Sequence, residues 1–233
     1  RHHPQAPGVI KMSSTVFTTE KIDLIRSALS SCTMCGFCKS VCPSFKAINW
    51  DTDLSRGRIV LSYGLLNGEL EADDSVVENM YTCTTCADCV RRCPSKVDIV
   101  EIIELCRADL VKNGKILPKH KKMCENIVEY GNPFAEKAPR AEVLGRQPHK
   151  AKVGYFVGCT ATYRSKKTAE ATLSILDKLG EDYTTIDETC CGSVMQRVGW
   201  SQEDVTVLMQ KASVVPSGTV LAENHRYLTA EDT

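Results

Sequence analysis

The sequence predicts an α + α/β chain, a mostly helical first part followed by a small parallel α/β unit. Three observations predict it. Two cysteine runs of identical spacing sit among stretches of helical periodicity in the first half, the texture changes after Gly131-Asn132-Pro133, and beyond residue 150 short β-type apolar runs alternate with helical ones. With 233 residues, 42% of them hydrophobic, the chain can bury a core and form two domains.

Residues Arg1 to Ser14 carry two prolines, two histidines and no periodicity, so residues 1–18 are expected to be a mobile tail, with His2 and His3 inert. Ile22, Ile25 and Leu29 recur at helical spacing and lead into the first cysteine run. The gap between the runs holds a helix of its own, with Ser55 as cap, Ile59, Tyr63 and Leu66 as stripe and Asn67-Gly68 as stop. After the second run, Asp98-x-x-Glu101 resembles a capping box, and Ile99, Ile102, Ile103, Cys106 and Leu110 form a stripe. Met123, Cys124, Ile127 and Val128 form the next. Cys106 and Cys124 read as core, because buried free cysteine behaves as a small hydrophobe and neither has a second thiol at ligand spacing. His120, between Lys119 and Lys122, reads as part of a solvated helix face. The helical part is expected to span residues 19–136, and the prolines and mixed charge of residues 137–150 mark a linker. In residues 151–233, Val153 to Val157 reads as a buried strand, and Ala169, Leu173 and Leu176 as a helix ended by Gly180. Tyr183 to Ile186 is a second strand, Ser201-x-x-Asp204 opens a helix bearing Val205, Leu208 and Met209, and Thr219 to Ala222 is a third strand. This order implies a parallel three-layer unit.

The cysteine runs are Cys32-x2-Cys35-x2-Cys38-x3-Cys42-Pro43 and Cys83-x2-Cys86-x2-Cys89-x3-Cys93-Pro94. A [4Fe–4S] cubane needs four soft thiolates, and one tight C-x2-C-x2-C loop brings three of them together. In two-cluster ferredoxin patterns the last cysteine, the one before proline, ligates the other cluster. The expected ligands are therefore Cys32, Cys35, Cys38 and Cys93 for cluster 1, and Cys83, Cys86, Cys89 and Cys42 for cluster 2. Zinc ribbons use paired C-x2-C knuckles without the repeated proline, and disulfide scaffolds belong to short secreted chains. Neither suits a long chain with thirteen cysteines and no signal-peptide pattern.

Composition excludes other classes. Lys plus Arg equals Asp plus Glu, 29 each, so the chain has no global basic field and nucleic acid is not an expected partner. No apolar run approaches the roughly 18–20 residues that span a bilayer, so any membrane link must come through another subunit. Thiolates kept available for iron imply a reducing cytoplasm.

Three more cysteines fall where strands of the second unit should end: Cys159 after the first strand, and Cys190-Cys191-Gly192 after the second. Ligand sites in open α/β sheets collect at those carboxyl ends. The trio is the candidate catalytic set, and on its own it is compatible with a cubane with one open iron, a dithiol redox pair or a vestige.

The two ferredoxin runs, the Ser55-Arg-Gly-Arg58 helix between them, the segment Cys83-Thr-Thr-Cys-Ala-Asp-Cys89 and the downstream CCG module together resemble the D subunit of heterodisulfide reductase from methanogenic archaea. Relatives are the iron–sulfur subunits of glycolate oxidase, anaerobic glycerol-3-phosphate dehydrogenase and thiol-driven fumarate reductase. The resemblance implies an alpha-helical ferredoxin domain with two [4Fe–4S] clusters, followed by a parallel α/β cysteine-rich (CCG) domain. It also implies an iron–sulfur subunit of an oxidoreductase relaying electrons toward a coenzyme M–coenzyme B type disulfide, or, alternatively, one serving a glycolate, lactate or glycerol-3-phosphate dehydrogenase complex. Expected partners are a flavoprotein, a second reductase subunit or a membrane b-type cytochrome, and the expected location is cytoplasmic, peripheral to the membrane through such a partner. A clusters-as-scaffold role is disfavoured because two cross-ligated clusters exceed what a fold needs.

The sequence departs from that family in two places. A full CCG module ends in a second cysteine pair at C-x2-C spacing, where this chain has Leu221 and Asn224. The family's D subunit carries two such modules, whereas here one, incomplete, is found. Cys159, Cys190 and Cys191 are therefore expected to hold no complete third cluster, the isolated chain is expected not to be catalytic, and the adjacent His225 reads as a surface or packing residue.

Overall fold

The computed structural model describes residues 17–24, 26–186 and 188–200, together with the backbone of 220–222. The expected helix from Ser201, His225 and most of the expected tail lie outside the described residues. Phe17 and Thr18 are anchored: Phe17 packs on the core, and Thr18 exchanges hydrogen bonds with the Asn113 side chain.

The approach to the first cysteine run is two short helices, α1 (Glu20–Asp23) and α2 (Arg26–Ser30), where periodicity predicts one. A 3-10 turn at Phe37–Ser40 leads to α3 (Pro43–Ile48), with proline at its first position, where its missing N–H costs nothing. Next comes α4 (Ser55–Leu66). Ser55 does not cap it: the N-cap is Leu54, and the Ser55 hydroxyl is spent on the Cys89 thiol. Tyr63 also points outward, because the buried face runs through Arg58, Ile59, Ser62, Leu65 and Leu66 and includes polar residues that a hydropathy stripe does not count.

Helix α5 (Asp74–Tyr81) is capped by Asp73, and the short α6 (Asp88–Arg92) lies inside the second run. Asp98 caps α7 (Ile99–Lys112) by accepting from Val100 N and Glu101 N, and the predicted stripe Ile99, Ile102, Ile103, Cys106 and Leu110 is buried throughout. These helices share one core. Asp109, fully buried on α7, accepts from Lys21 N and Ile22 N at 2.9 Å and so holds the start of α1.

Helix α8 (Pro118–Tyr130) ends at Gly131 in the left-handed conformation. Val128 is exposed, and the buried face is Cys124 and Ile127. His120 is not on a solvated face: its ring packs on Tyr81 at 4.9 Å, and burial lowers its pKa. The stretch 137–150 includes a helix, α9 (Arg140–Leu144), whose Arg140 is buried.

The second part has strands β1 (Val153–Tyr155), β2 (Tyr183–Thr185) and β3 (Val220–Ala222) in the order β2-β1-β3, all parallel, with Val153 opposite Tyr183 and Val220. Helix α10 (Cys159–Tyr163) follows β1, and α11 (Lys166–Leu179), ended by Gly180, crosses to β2. Helix α12 (Ser193–Arg197) follows the cysteine pair. A second core joins Cys124 and Ile127 of α8 to Cys190, Met195 and Val198, so α8 packs with the cysteine-rich module.

Candidate functional site

The two cysteine runs fold as near copies. Positions 34 and 85 have φ of 55° and 51°, positions 36 and 87 have φ of 83° and 64°, and Cys42 and Cys93 share φ −72°, ψ 115° ahead of their prolines. Gly36 adopts its left-handed turn at no steric cost, and Ala87 holds the same turn at some. These turns curl each loop so that its three thiols face one cavity.

Cys32, Cys35, Cys38 and Cys93 line one solvent-open hollow, and Cys83, Cys86, Cys89 and Cys42 line another. Each run thus sends its fourth cysteine to the other run's cavity. Ile99, at the start of α7, lines both. All thirteen cysteines are free thiols. Among the described residues no three ligand-type side chains converge as a single metal ion requires. A ring of four thiols around a multi-atom void suits a [4Fe–4S] cubane, whereas zinc needs every sulfur about 2.3 Å from one point. Backbone N–H groups already face the sulfurs: Thr85 N lies 3.5 Å from Cys83 Sγ, and Val97 N lies 3.4 Å from Cys93 Sγ.

The third constellation sits where β1 and β2 end. Gly158 starts α10 and so presents Cys159, while Cys190 is held by its N–H bond to Gly131 O (2.7 Å) and Gly192 turns the chain into α12. Cys191 Sγ lies 3.4 Å from Ser193 Oγ. Two residues absent from the sequence expectation complete the site. Arg140 donates to Cys159 Sγ (3.1 Å), Glu188 O (2.8 Å) and Thr162 Oγ1 (3.2 Å), and pairs with Glu188 Oε1 at 3.1 Å. Glu188 Oε1 also accepts from Gly158 N at 2.6 Å.

A hydrogen bond from the Cys190 thiol, backed by the Arg140 guanidinium, outweighs burial and lowers the Cys159 thiol to about 6. Burial pushes the Glu188 carboxyl up to about 8 against the pull of Arg140 and the Gly158 N–H. Arg140 thus stands between a thiol shifted toward its thiolate and a carboxyl shifted toward its neutral form. By contrast, burial pushes Cys106 and Cys124 up to about 12, as inert core thiols require. Arg140 lay in a stretch of little periodicity that reads as a linker, and the only trace of Glu188 was its place two residues before Cys190.

A 4Fe-4S dicluster domain matches residues 28–97, and a cysteine-rich domain matches residues 153–214. The chain is 36% identical over 196 residues to the D subunit of dihydromethanophenazine:CoB–CoM heterodisulfide reductase from Methanosarcina acetivorans, covering 73% of this chain and 47% of that protein. It is 29% identical to the glycolate oxidase iron-sulfur subunit of Escherichia coli, over 72% of this chain and 47% of that protein. It is also 30% identical to the B subunit of fumarate reductase (CoM/CoB) from Methanothermobacter marburgensis, over 73% of this chain and 36% of that protein. The chain spans about half the length, or less, of these curated relatives. With a dicluster domain for two [4Fe–4S] clusters joined to a cysteine-rich domain, the chain belongs to the CCG-domain iron–sulfur protein family that includes the heterodisulfide reductase D subunit.

Proposed function

We propose that this chain is the electron-relay subunit of a multi-subunit, heterodisulfide reductase-like oxidoreductase, with electrons bound for a coenzyme M–coenzyme B type disulfide. When bound, the two [4Fe–4S] clusters each take up and release one electron at a time. The chain's own part is to hold, space and insulate them. Cys32, Cys35, Cys38 and Cys93 ligate cluster 1, and Cys83, Cys86, Cys89 and Cys42 ligate cluster 2. The observation that carries the reading is that each crossed set of four thiols borders a single cavity, with Ile99 common to both. Crossing ties the two runs together and keeps the centres close.

The 29% likeness to a glycolate oxidase iron-sulfur subunit supports a second reading, in which the electrons come from a hydroxy-acid or glycerol-3-phosphate dehydrogenase partner. In either reading the terminal chemistry belongs to the assembled complex. A flavoprotein, a second reductase subunit or a membrane b-type cytochrome would complete it in the cytoplasm. Among the described residues no helix is long and apolar enough to cross a membrane. The dicluster domain would occupy residues 19–136 and the cysteine-rich domain 151–233, with Cys159, Cys190 and Cys191 as a thiol site that holds no complete cluster, since Leu221 and Asn224 offer no thiolate.

The test is anaerobic reconstitution followed by metal analysis and EPR. About eight irons and eight labile sulfides per chain are expected, with two spin-coupled S = 1/2 signals on reduction. Cys42→Ser should damage the cluster of the second run and Cys93→Ser that of the first. Stoichiometric zinc without iron, or loss of the sequence-local cluster in each variant, would overturn the assignment. Turnover of a mixed disulfide by the chain alone, abolished by Cys190→Ala, would show that the thiol site is catalytic unaided.

A further inference from the structure

One buried guanidinium bridges the dicluster part and the cysteine-rich module. Arg107 of α7 is 3% exposed. Its Nε and Nη2 donate to Met80 O (3.1 and 2.6 Å), Nη2 also donates to Cys83 O (2.6 Å), and Nη1 donates to Arg197 O at the end of α12 (2.6 Å). Arg107 therefore grips the backbone of the first ligand in the second cysteine run with one hand and the cysteine-rich module with the other. Tyr81 lies over its guanidinium and donates to Val198 O at 3.0 Å. Gly199, at φ +98°, comes so close that an added Cβ would stand 2.3 Å from Arg107 O.

These acceptors of Arg107 are all neutral carbonyls. Glu104 faces both Arg107 and Arg197, yet forms no ion pair with either within 4 Å among the described residues, and one of its oxygens is buried without a partner. Nearby Arg58 is different: it pairs with Asp53 at 3.5 Å and so is locally neutralised. Arg197 adds a second cation, donating to Thr85 Oγ1 at 2.9 Å inside the second cysteine loop. Beside the first loop, Lys39 is exposed and pairs with the exposed Asp51, while Arg56 lines the first cavity with its side chain 31% exposed, donates to Met34 O at 3.3 Å and stands 4.0 Å from the same Asp51. Arg107 is almost wholly buried with no carboxylate within 4 Å among the described residues, whereas Arg56 is partly open to water, as is Asp88, which lies beside Cys86 and is paired with Arg91. A buried charge acts through a low effective dielectric and an exposed one is screened, so the stronger positive field falls on the second loop.

Reduction adds negative charge to a cluster, and a nearby buried cation favours it. We infer that Arg107 orders the relay: its guanidinium makes the cluster of Cys83, Cys86, Cys89 and Cys42 the higher-potential one, so electrons collect on the side where the cysteine-rich module docks. Each transfer takes one electron from the cluster of Cys32, Cys35, Cys38 and Cys93 and delivers it to its neighbour. The inference rests on the crossed-ligand reading above and adds a direction to it. Arg107 is a positioning residue, acting through field and backbone rather than as a ligand.

The test is an EPR-monitored redox titration of the reconstituted full chain, with the two waves assigned by the Cys42→Ser and Cys93→Ser variants. In the wild type the second cluster should titrate at the higher potential. Arg107→Gln should cut its reduced-to-oxidised ratio at a fixed potential about tenfold, which is 59 mV for one electron, and leave the first wave in place. Arg107→Lys, which keeps the charge with fewer carbonyl bonds, should restore most of the shift. The inference is overturned if the second cluster titrates lower in the wild type, if Arg107→Gln moves neither wave or both equally, or if Lys does no better than Gln. Should Arg107→Gln fail to fold, Arg197→Gln must lower the same wave by a smaller factor, and an unmoved wave there overturns the field argument. Wild-type protein with iron content for two clusters but no such order refutes the inference alone, whereas wild-type protein that binds no clusters refutes the relay reading itself.

Discussion

Arg140→Met removes the guanidinium that touches Cys159. At the observed 3.1 Å, two unit charges attract by about 5 kcal/mol at an effective dielectric of about 20. One pH unit corresponds to about 1.36 kcal/mol, so the bare attraction bounds the effect at roughly four units. Desolvation of the guanidinium and its sharing with Glu188, Thr162 and the Glu188 carbonyl reduce this bound, because part of its charge is already turned elsewhere. A rise of at least about one unit is expected from a wild-type value of about 6. Cys190→Ala should raise it further, since the hydrogen bond from Cys190 is the larger support. The assay is the pH dependence of Cys159 alkylation by iodoacetamide, resolved by peptide mass spectrometry in the reconstituted chain. The linkage has a definite sign: the folded thiol ionises from about pH 6 and the unfolded one from about 8.5, so this contribution to stability is complete above 8.5 and is lost as pH falls through 6. Arg140→Met should narrow that window. An alkylation midpoint unchanged in both Arg140→Met and Cys190→Ala would refute the reasoning.

Glu188→Gln removes an acid whose raised pKa, about 8, penalises the folded state as pH climbs toward it, so the thermal midpoint of the variant minus that of the wild type should increase from pH 5 to pH 8.5. Gly199→Ala should lower the thermal midpoint by more than Gly114→Ala, because both glycines have positive φ but only at Gly199 would the new Cβ collide with Arg107 O. Backbone strain alone costs about 1–3 kcal/mol, and differential scanning calorimetry of the two variants separates strain from collision. Asp109→Ala orphans the N–H groups of Lys21 and Ile22, and a loss of about 1–3 kcal/mol should appear as faster amide exchange at those two residues than in the rest of the dicluster core.

Local signals carried much of the fold. The α7 stripe and its Asp98 cap, the Gly180 stop and the three parallel strands were legible because each rests on contacts a few residues apart or on a short apolar run. Where expectation failed, a distant partner had overridden the local preference. Ser55 turned from capping to the Cys89 thiol, and His120 was drawn out of a basic surface by the Tyr81 ring. The helix in 137–150 is set by Arg140, whose partners Cys159, Thr162 and Glu188 lie 19 to 48 residues away.

The sequence by itself determined the chemistry of the dicluster part. Four thiolates at C-x2-C-x2-C-x3-C-P spacing, given twice, admit few cofactors, and spacing is a local property that the chain writes directly. Only the tertiary structure decided which charges stand near the cysteines of either part. Arg107, Arg140 and Glu188 look like any other charged residues in the sequence, and their roles arise from burial, which removes the water that would otherwise screen them. Ligand identity follows from residue type and order, whereas electrostatic control follows from what the packed chain excludes.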